Sequence, residues 1–532
     1  MNSFAFLDKA ARQSPDRAAI VHGDVTWTYQ EFRERALAVG GNLRALGCKP
    51  GDRIAFCLAN SPAILEIIYG CFAAGLVVVP INARLHAREI AYIIQNSESR
   101  VLIYGAEYQE SIAANSAEFA QLDWRICVSP VEGALPYSDL LLPNASLSNS
   151  ETVAGDAICW LFYTSGTTGR PKGAIWTHRM VRVVIMNYLA DVYNIQAGET
   201  VLHAAPMSHG SGVVALPAVA RGATNMIYPS VSFDAKILFS TVQKSKVSHI
   251  AFLAPTQIIK MLEAFNENEF DLTSLKTICY GGAPLYVEHL RKAVETFGPV
   301  FTQIYGQGEA PMTIAGLNAK MHADFLKSAD PRIGSVGQVR TDVEATCVDD
   351  DDAPLGANEV GEVVVRGDVV MPGYWRDPAA TQEALRGGWL HTGDIGYFDE
   401  QGFLFLLDRT KDLIISGGNN VYPREVEEVI VQHPGVASVV VFGVPHAYWG
   451  EAVHAVIVAK TGVTLTAEEI IAHCADHMAG YKKPKSIDFV DSLPVNGYGK
   501  IMRRELRERY WQGLSARIGG GQVVLIPWGE AK

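Results

Sequence analysis

The sequence predicts an α/β protein with a large N-terminal part and a smaller α+β unit at its C-terminal end. Three observations predict it. Short β-rich runs alternate with helical stretches as far as about residue 410, the signature of mainly parallel sheets covered by helices on both faces. From Gly334 to Leu407 the pattern changes to short strands separated by turn residues, as where Gly361–Arg366 gives way to Gly367-Asp368. After Arg409 helices and strands resume over the rest of the chain, enough for a separate small domain.

Taken in order, strands are expected at Arg53–Leu58, Val101–Tyr104, Val201–Ala204, Asn225–Tyr228, His249–Leu253 and Thr277–Tyr280, with helices over Tyr29–Leu46 and Asp234–Lys244. The most apolar window, Ile67–Ile81, contains Gly75 and Pro80 and is too short to span a bilayer. It reads as a buried helix running into a buried strand. Asp349–Asp352 before Ala353-Pro354 reads as a solvated turn rather than a metal site. In the last part, helices are expected over Arg424–Gln432 and Ala467–Met478 and strands over Val436–Phe442 and Val453–Ala459. The tail from Gly519 to Pro527 is either a loose end or a strand added to a sheet edge. The domains expected are residues 1–410 and 411–532.

The chain has 532 residues, 48% apolar and 19% charged, with 45 Lys/Arg against 57 Asp/Glu and a net charge of −12. That is the composition of a globular protein of several structural units. Its long-range field repels polyanions, so nucleic acid is not an expected partner. The eight cysteines show no CxxC and no zinc spacing, and most sit in apolar strings as small core hydrophobes. The N-terminus lacks a signal-peptide pattern and no integral membrane segment is seen, so a cytoplasmic location is expected. Residues 481–510 reverse the overall sign, with eight Lys/Arg against four Asp/Glu. A basic face on a terminal helix accounts for this, and so does a ligand carrying several phosphates.

The strongest local signal is Tyr163-Thr-Ser-Gly-Thr-Thr-Gly-Arg-Pro-Lys-Gly173 after the apolar run Ala157–Phe162. Glycines 166, 169 and 173 let backbone N–H groups converge, and hydroxyls plus Lys172 add donors and charge, as a polyphosphate cradle requires. The string is not the GxxxxGK[ST] loop, and on composition alone it is equally a flexible Gly/Thr loop. As a whole it resembles the phosphate-binding loop of the adenylate-forming superfamily, which includes acyl-CoA synthetases, aryl-CoA ligases, carrier-protein adenylation domains and luciferases.

Further stretches match that family in order. The resemblance runs from about Phe6 to Tyr510 and implies a multilayer N-terminal α/β domain with a distorted β-barrel subdomain, plus a small mobile C-terminal cap. It places Thr164, Ser165, Gly166, Thr167, Thr168, Gly169 and Lys172 around the phosphates of ATP. Gln303-Ile-Tyr-Gly-Gln-Gly-Glu309 resembles the segment whose Tyr305 packs on adenine beside Gln303 and Gly306. Its Glu309, with Thr164, is implied to hold Mg2+; alone, Glu309 would read as a surface acid in a turn. The family usually carries a hydroxyl residue at the position of Gly308, so a side-chain contact to phosphate is missing, its place left to backbone or water. Tyr280-Gly-Gly-Ala-Pro284 resembles the turn, with Gly282, Ala283 and Pro284, that walls the adenine and acyl pockets.

The segments ending in Asp394 and containing Arg409 resemble those that hold the ribose hydroxyls, although Asp394 in isolation could equally cap a turn. Lys411 falls at the family's domain hinge. Leu493–Lys500 matches the loop of the catalytic lysine; Lys500 alone would be a solvated charge. Gly417, Gly418, Trp449, Tyr481, Lys483 and Lys485 correspond to segments that build the thiol tunnel and touch coenzyme A.

Pro206-Met-Ser-His-Gly-Ser-Gly212 aligns with the acyl gate and places His209 there. A hydrolase built on His209 with Ser208 or Ser211 lacks the G-x-S-x-G elbow. Amino-acid-activating relatives carry an aspartate near this gate, and here Asp234 lies too far along, at the start of a helix. An ammonium substrate would then be buried unpaired, so a plain fatty, aromatic or alicyclic carboxylic acid is expected. The function expected is an AMP-forming acyl-CoA synthetase using ATP, Mg2+ and coenzyme A, as a monomer or homodimer. The alternatives are loading of a carrier-protein phosphopantetheine, a luciferase-like oxygenase, and a nucleotide-binding regulator without turnover.

Overall fold

The computed structural model describes residues 1–164, 170–283, 285–409, 412–416, 419–446, 449–496 and 500–511. Two large sheets form the bulk of the molecule. One has nine strands, with a mainly parallel centre and antiparallel edges; the other has seven, parallel apart from the pair Ile158–Thr164 and Lys172–Thr177. The expected strands are all present, two of them shifted by one residue: Thr200–His203 and Thr224–Ile227.

The core between the sheets is built around two helices, Tyr29–Ala45 and Pro62–Ala74. Every residue of the second is buried, and it stops at Gly75 in the left-handed region before the wholly buried strand Val77–Ile81. Helix followed by strand is what the window Ile67–Ile81 predicts. The two helices pack closely because glycines meet at the crossing. A Cβ on Gly40 would lie 2.6 Å from the Gly70 carbonyl oxygen, and one on Gly70 would lie 2.8 Å from Val39. Thr28 starts the first helix with a reciprocal cap, its hydroxyl accepting from the Glu31 N–H while Glu31 accepts from the Thr28 N–H. All eight cysteines are buried and free, in keeping with the core reading.

Residues 344–409 form a four-stranded antiparallel sheet, Glu344–Val348, Gly361–Arg366, Leu390–Phe398 and Leu404–Arg409. It is open; no closed barrel is traced among the described residues. The aspartate run before Pro354 is a turn, with Asp349 accepting from the N–H groups of Asp351 and Ala353. Beyond it lies a five-stranded sheet dominated by the hairpin Val436–His446 and Gly450–Ala459, covered by the helices Pro423–Ile430, Ala467–His477 and Arg503–Trp511. The tail 512–532 is outside the described residues. Among the described residues no helix is long and apolar enough to cross a membrane.

The helix crossing yields a stability test. Alanine is intrinsically a better helix former than glycine by about 1 kcal/mol, yet Gly40→Ala must push a Cβ into the Gly70 backbone. The expected outcome is a net loss of about 1–3 kcal/mol in thermal or denaturant unfolding. A gain in stability would show that the crossing is not close.

Candidate active site

A cleft of about 1280 Å³ opens between the nine-stranded sheet and the C-terminal sheet. Gly282, Ala283, Gln303, Tyr305, Gly306 and Asp394 line it from one side and Lys500 from the other. Residues more than a hundred positions apart in sequence are thus brought to one surface. Backbone constraints set the near wall. Gly281 lies against the next strand so closely that a Cβ would sit 2.5 Å from the Ile304 carbonyl oxygen, and Gly282 follows at φ +76°.

Tyr305 and Asp394, both nearly buried, meet directly: the phenol donates to Asp394 Oδ2 at 2.7 Å. Asp394 is held in turn by its own N–H, which donates to the Thr392 hydroxyl. Lys500 is tied to Asn496, whose side chain accepts from the Lys500 N–H and whose own N–H donates to the Lys500 carbonyl.

A second group, none of it among the residues lining the cleft, gathers at the antiparallel strand pair Ile158–Thr164 and Lys172–Thr177. Thr164 and Lys172 are register partners across this pair. Glu309, only 7% exposed, reaches the same place from the hairpin of Phe301–Gln307 and Ala310–Gly316. Its Oε1 accepts from the Thr164 hydroxyl at 3.2 Å and from the Tyr374 hydroxyl at 2.8 Å. No ion pair to Glu309 exists among the described residues. Burial and the neighbouring Glu309 charge together push the Tyr374 phenol far above its usual range, so it stays a donor. The intervening residues Ser165, Gly166, Thr167, Thr168 and Gly169 lie outside the described residues, as do Pro284, Lys411, Gly417, Gly418 and the side chain of Arg409.

Gly308 has a steric explanation. A Cβ there would lie 2.3 Å from the Thr164 methyl and 2.8 Å from Phe162. The Trp176 indole N–H donates to the Gly308 carbonyl at 2.7 Å, so a buried tryptophan secures the loop that carries Glu309. Trp176 stacks on Phe162 at 4.8 Å, and Phe162 meets His209 edge-on at 4.9 Å. Burial drives the His209 imidazole down to about 3, so it is neutral at the end of an aromatic wall.

The hydrolase alternative divides between its two serines: Ser208, which lines the cleft, has its Oγ 3.4 Å from His209 Nδ1, at the outer limit of a hydrogen bond. Ser211 does contact a histidine, but it is His203, whose other nitrogen meets Asn225. All three are fully buried, and burial takes His203 down to about 4. A nucleophile sealed from solvent attacks nothing.

The basic stretch 481–510 is partly offset by acids elsewhere in the chain, through Arg503 and Lys482, while Arg504 and Arg509 pair with acids of the stretch itself. Arg503 binds Asp408 at 3.0 Å and Glu427 at 2.7 Å, Arg504 pairs with Glu508, Arg509 with Glu505, and Lys482 with Glu425. Trp449, Tyr481 and Lys485 are exposed, with the Lys485 ammonium 5.8 Å from the Trp449 ring. These three and Lys483 are not among the residues lining the cleft. The sequence reading missed Tyr374 and Trp176. Neither stands in a stretch with the spacing of a site; each is found only through its partner.

The Gly308 geometry predicts the effect of restoring a hydroxyl. Gly308→Ser is expected to lower both the melting temperature and adenylate formation, costing about 1–3 kcal/mol of stability. Adding Thr164→Ser, which removes the colliding methyl and keeps the hydroxyl, should recover part of both. A fully active, equally stable Gly308→Ser variant would contradict the steric account.

Comparison with known proteins agrees with this arrangement. Residues 7–375 match the AMP-binding enzyme family and residues 425–500 its C-terminal domain. The chain is 37% identical over 504 residues to a feruloyl-CoA synthase of an Amycolatopsis species, covering 94% of this chain and 98% of the relative. It is 35% identical over 509 residues to the long-chain-fatty-acid–CoA ligase FadD13 of Mycobacterium tuberculosis, covering 95% and 97%. Among solved structures, the anthranilate CoA ligase AuaEII in complex with anthranoyl-AMP superposes with a TM-score of 0.88 at 26% identity, over 96% of this chain and 97% of that one. The chain belongs to the AMP-binding, adenylate-forming enzyme family, in its acyl-CoA synthetase branch.

Proposed function

We propose that this synthetase activates an aromatic or fatty carboxylic acid with ATP and passes the acyl group to coenzyme A, with Lys500 as the catalytic lysine of the first step. The observation that carries the reading is the convergence of Lys500 with Gln303, Tyr305, Gly306 and Asp394 on one cleft. In the first half-reaction a carboxylate oxygen attacks the α-phosphorus, and the bond from that phosphorus to the bridging oxygen of pyrophosphate breaks. In the second, the thiol of coenzyme A attacks the adenylate carbonyl and AMP leaves.

Each residue has a part that its surroundings support. Tyr305 offers its ring to the adenine while its hydroxyl orients Asp394 toward the ribose hydroxyls. Lys172 and the loop after Thr164 hold the phosphates. Lys500 sets positive charge against the reacting carboxylate and α-phosphate, where charge builds in the transition state. Neutral His209 and Phe162 close the acyl end without adding charge. Asp234 caps a helix, its Oδ1 accepting from the N–H groups of Lys236 and Ile237, and it is not among the residues lining the cleft, which supports a structural part for it. This favours a plain carboxylic acid, and the names of the two relatives favour an aryl-propenoic or a fatty one.

Glu309 and Thr164 fit a magnesium site. They are hard oxygen donors on one spot, and a buried carboxylate with no cationic partner among the described residues calls for a cation. Magnesium bound there would neutralise phosphate charge and polarise the phosphoryl oxygens. We place the domain boundary at 410/411, with Lys411 as the hinge about which residues 411–532 rotate between half-reactions. That rotation would withdraw Lys500 and bring the surface of Trp449, Tyr481, Lys483 and Lys485 toward the adenylate as the docking face for coenzyme A.

Two measurements test the proposal. Pyrophosphate release should appear with cinnamic-type, benzoic or fatty acids, and AMP plus thioester should follow only when coenzyme A is added. Absence of pyrophosphate with every acid would refute activation, and acyl transfer only to a carrier-protein phosphopantetheine would redirect the second step. Lys500→Ala should lower adenylation by about a hundredfold or more and leave thioester formation from synthetic acyl-adenylate within about threefold. Equal loss of both half-reactions would remove the assigned role.

A further inference from the structure

The segment Met371–Trp375 runs along the outer edge of the strand Lys172–Thr177, although it lies two hundred residues away in sequence. The Ile175 N–H donates to the Gly373 carbonyl at 3.1 Å and the Trp375 N–H to the Gly173 carbonyl at 2.8 Å, with Ala174 and Tyr374 paired between them. The Met371 N–H donates to the Glu309 carbonyl at 2.8 Å, so the same segment also grips the backbone of the acid. Tyr374 is fixed from behind, its N–H donating to the Thr381 hydroxyl at 2.9 Å. Its side chain then does two things at once. Its hydroxyl donates to Glu309 Oε1 at 2.8 Å, and its ring lies 5.1 Å from the Lys172 ammonium.

Lys172 and Glu309 are both neighbours of Thr164, one through strand register and the other through a 3.2 Å hydrogen bond. An ammonium and a carboxylate that share a pocket attract each other, and a direct pair would cancel the charges that a nucleotide and its metal need. No such pair forms among the described residues. Instead each charge has a neutral partner supplied by one tyrosine: a hydrogen-bond donor for the carboxylate and a π face for the ammonium. Both hydrogen bonds to the acid fall on Oε1, so the carboxylate is oriented by that oxygen.

We propose that Tyr374 is a positioning residue that keeps Lys172 and Glu309 apart and aimed, the lysine for phosphate and the acid for the metal. The inference rests on the roles proposed for Lys172 and Glu309, and deepens them.

The experiment compares Tyr374→Phe, which keeps the ring and removes the hydroxyl, with Tyr374→Leu, which removes both. Binding of α,β-methylene ATP is measured by calorimetry with and without Mg2+, beside thioester formation from synthetic acyl-adenylate and the melting temperature. Tyr374→Phe should raise the Mg2+ concentration for half-maximal enhancement of analogue binding by about tenfold or more, with metal-free binding within about twofold of the parent. Tyr374→Leu should additionally weaken metal-free binding, because Lys172 loses its ring. Thioester formation from the adenylate should be unchanged in both. Glu309→Gln serves as the reference, and combining it with Tyr374→Phe should add no further Mg2+ defect.

The inference is overturned if Tyr374→Phe leaves the Mg2+ response intact. It is overturned equally if that variant weakens metal-free binding, thioester formation and thermal stability together, as a merely structural role would. Should Glu309→Gln itself leave the Mg2+ response unchanged, the role of Glu309 fails first and the inference falls with it. Loss in Glu309→Gln without loss in Tyr374→Phe rejects the inference alone.

Discussion

Burying a carboxylate without an ion pair is among the less favourable things a fold does, and among the described residues Glu309 is one such group. Glu309 is held at the end of a hairpin by side chains from two distant parts of the chain: Tyr374 from one and, from a single strand pair, Thr164 and, through the neighbouring carbonyl, Trp176. Uncharged donors soften the desolvation but do not remove it. With no ion pair to it among the described residues, this carboxylate supports the magnesium role proposed for it. The surrounding choices fit that role, including a glycine at 308 where any side chain would strike Thr164.

Much of this was legible in the sequence. The alternation of apolar runs and helical stretches located the strands of the two large sheets to within a residue, because parallel strands buried on both faces are continuous apolar blocks, whereas the C-terminal hairpin runs three to four residues longer than expected. Asp234 was readable as a helix start, and its side chain accepts from two N–H groups of the first turn. The cleft residues Gln303, Tyr305, Asp394 and Lys500 came from ordered stretches that resemble a known family, and they converge in space.

What escaped was whatever depends on pairing across long sequence distance. Tyr374 sits in a short connection with no periodicity, and its partners lie 65 and 202 residues away by position. Trp176 drew no reading, since an indole N–H carries no signal until its acceptor is known. The basic run 481–510 shows the same limit from the other side. Its count already subtracts Glu505 and Glu508, the partners of Arg509 and Arg504, whereas Arg503 and Lys482 are engaged by acids outside the stretch, which a local count does not see.

One of those engaged cations has a consequence of its own. Arg503 stands on the last described helix and grips Asp408, three positions before the proposed pivot, together with Glu427 on the first helix beyond it. Both acids are nearly out of water, and separating such a pair without replacement costs about 3–5 kcal/mol. If the C-terminal unit turns, either this knot travels with the hinge strand as a rigid splice or it must be untied. In the first case Arg503 sets where the chain bends, by stiffening everything up to residue 408 and confining the flexure to the few residues beyond it. In the second it is a threshold, giving the two catalytic postures separate existence rather than a continuum between them.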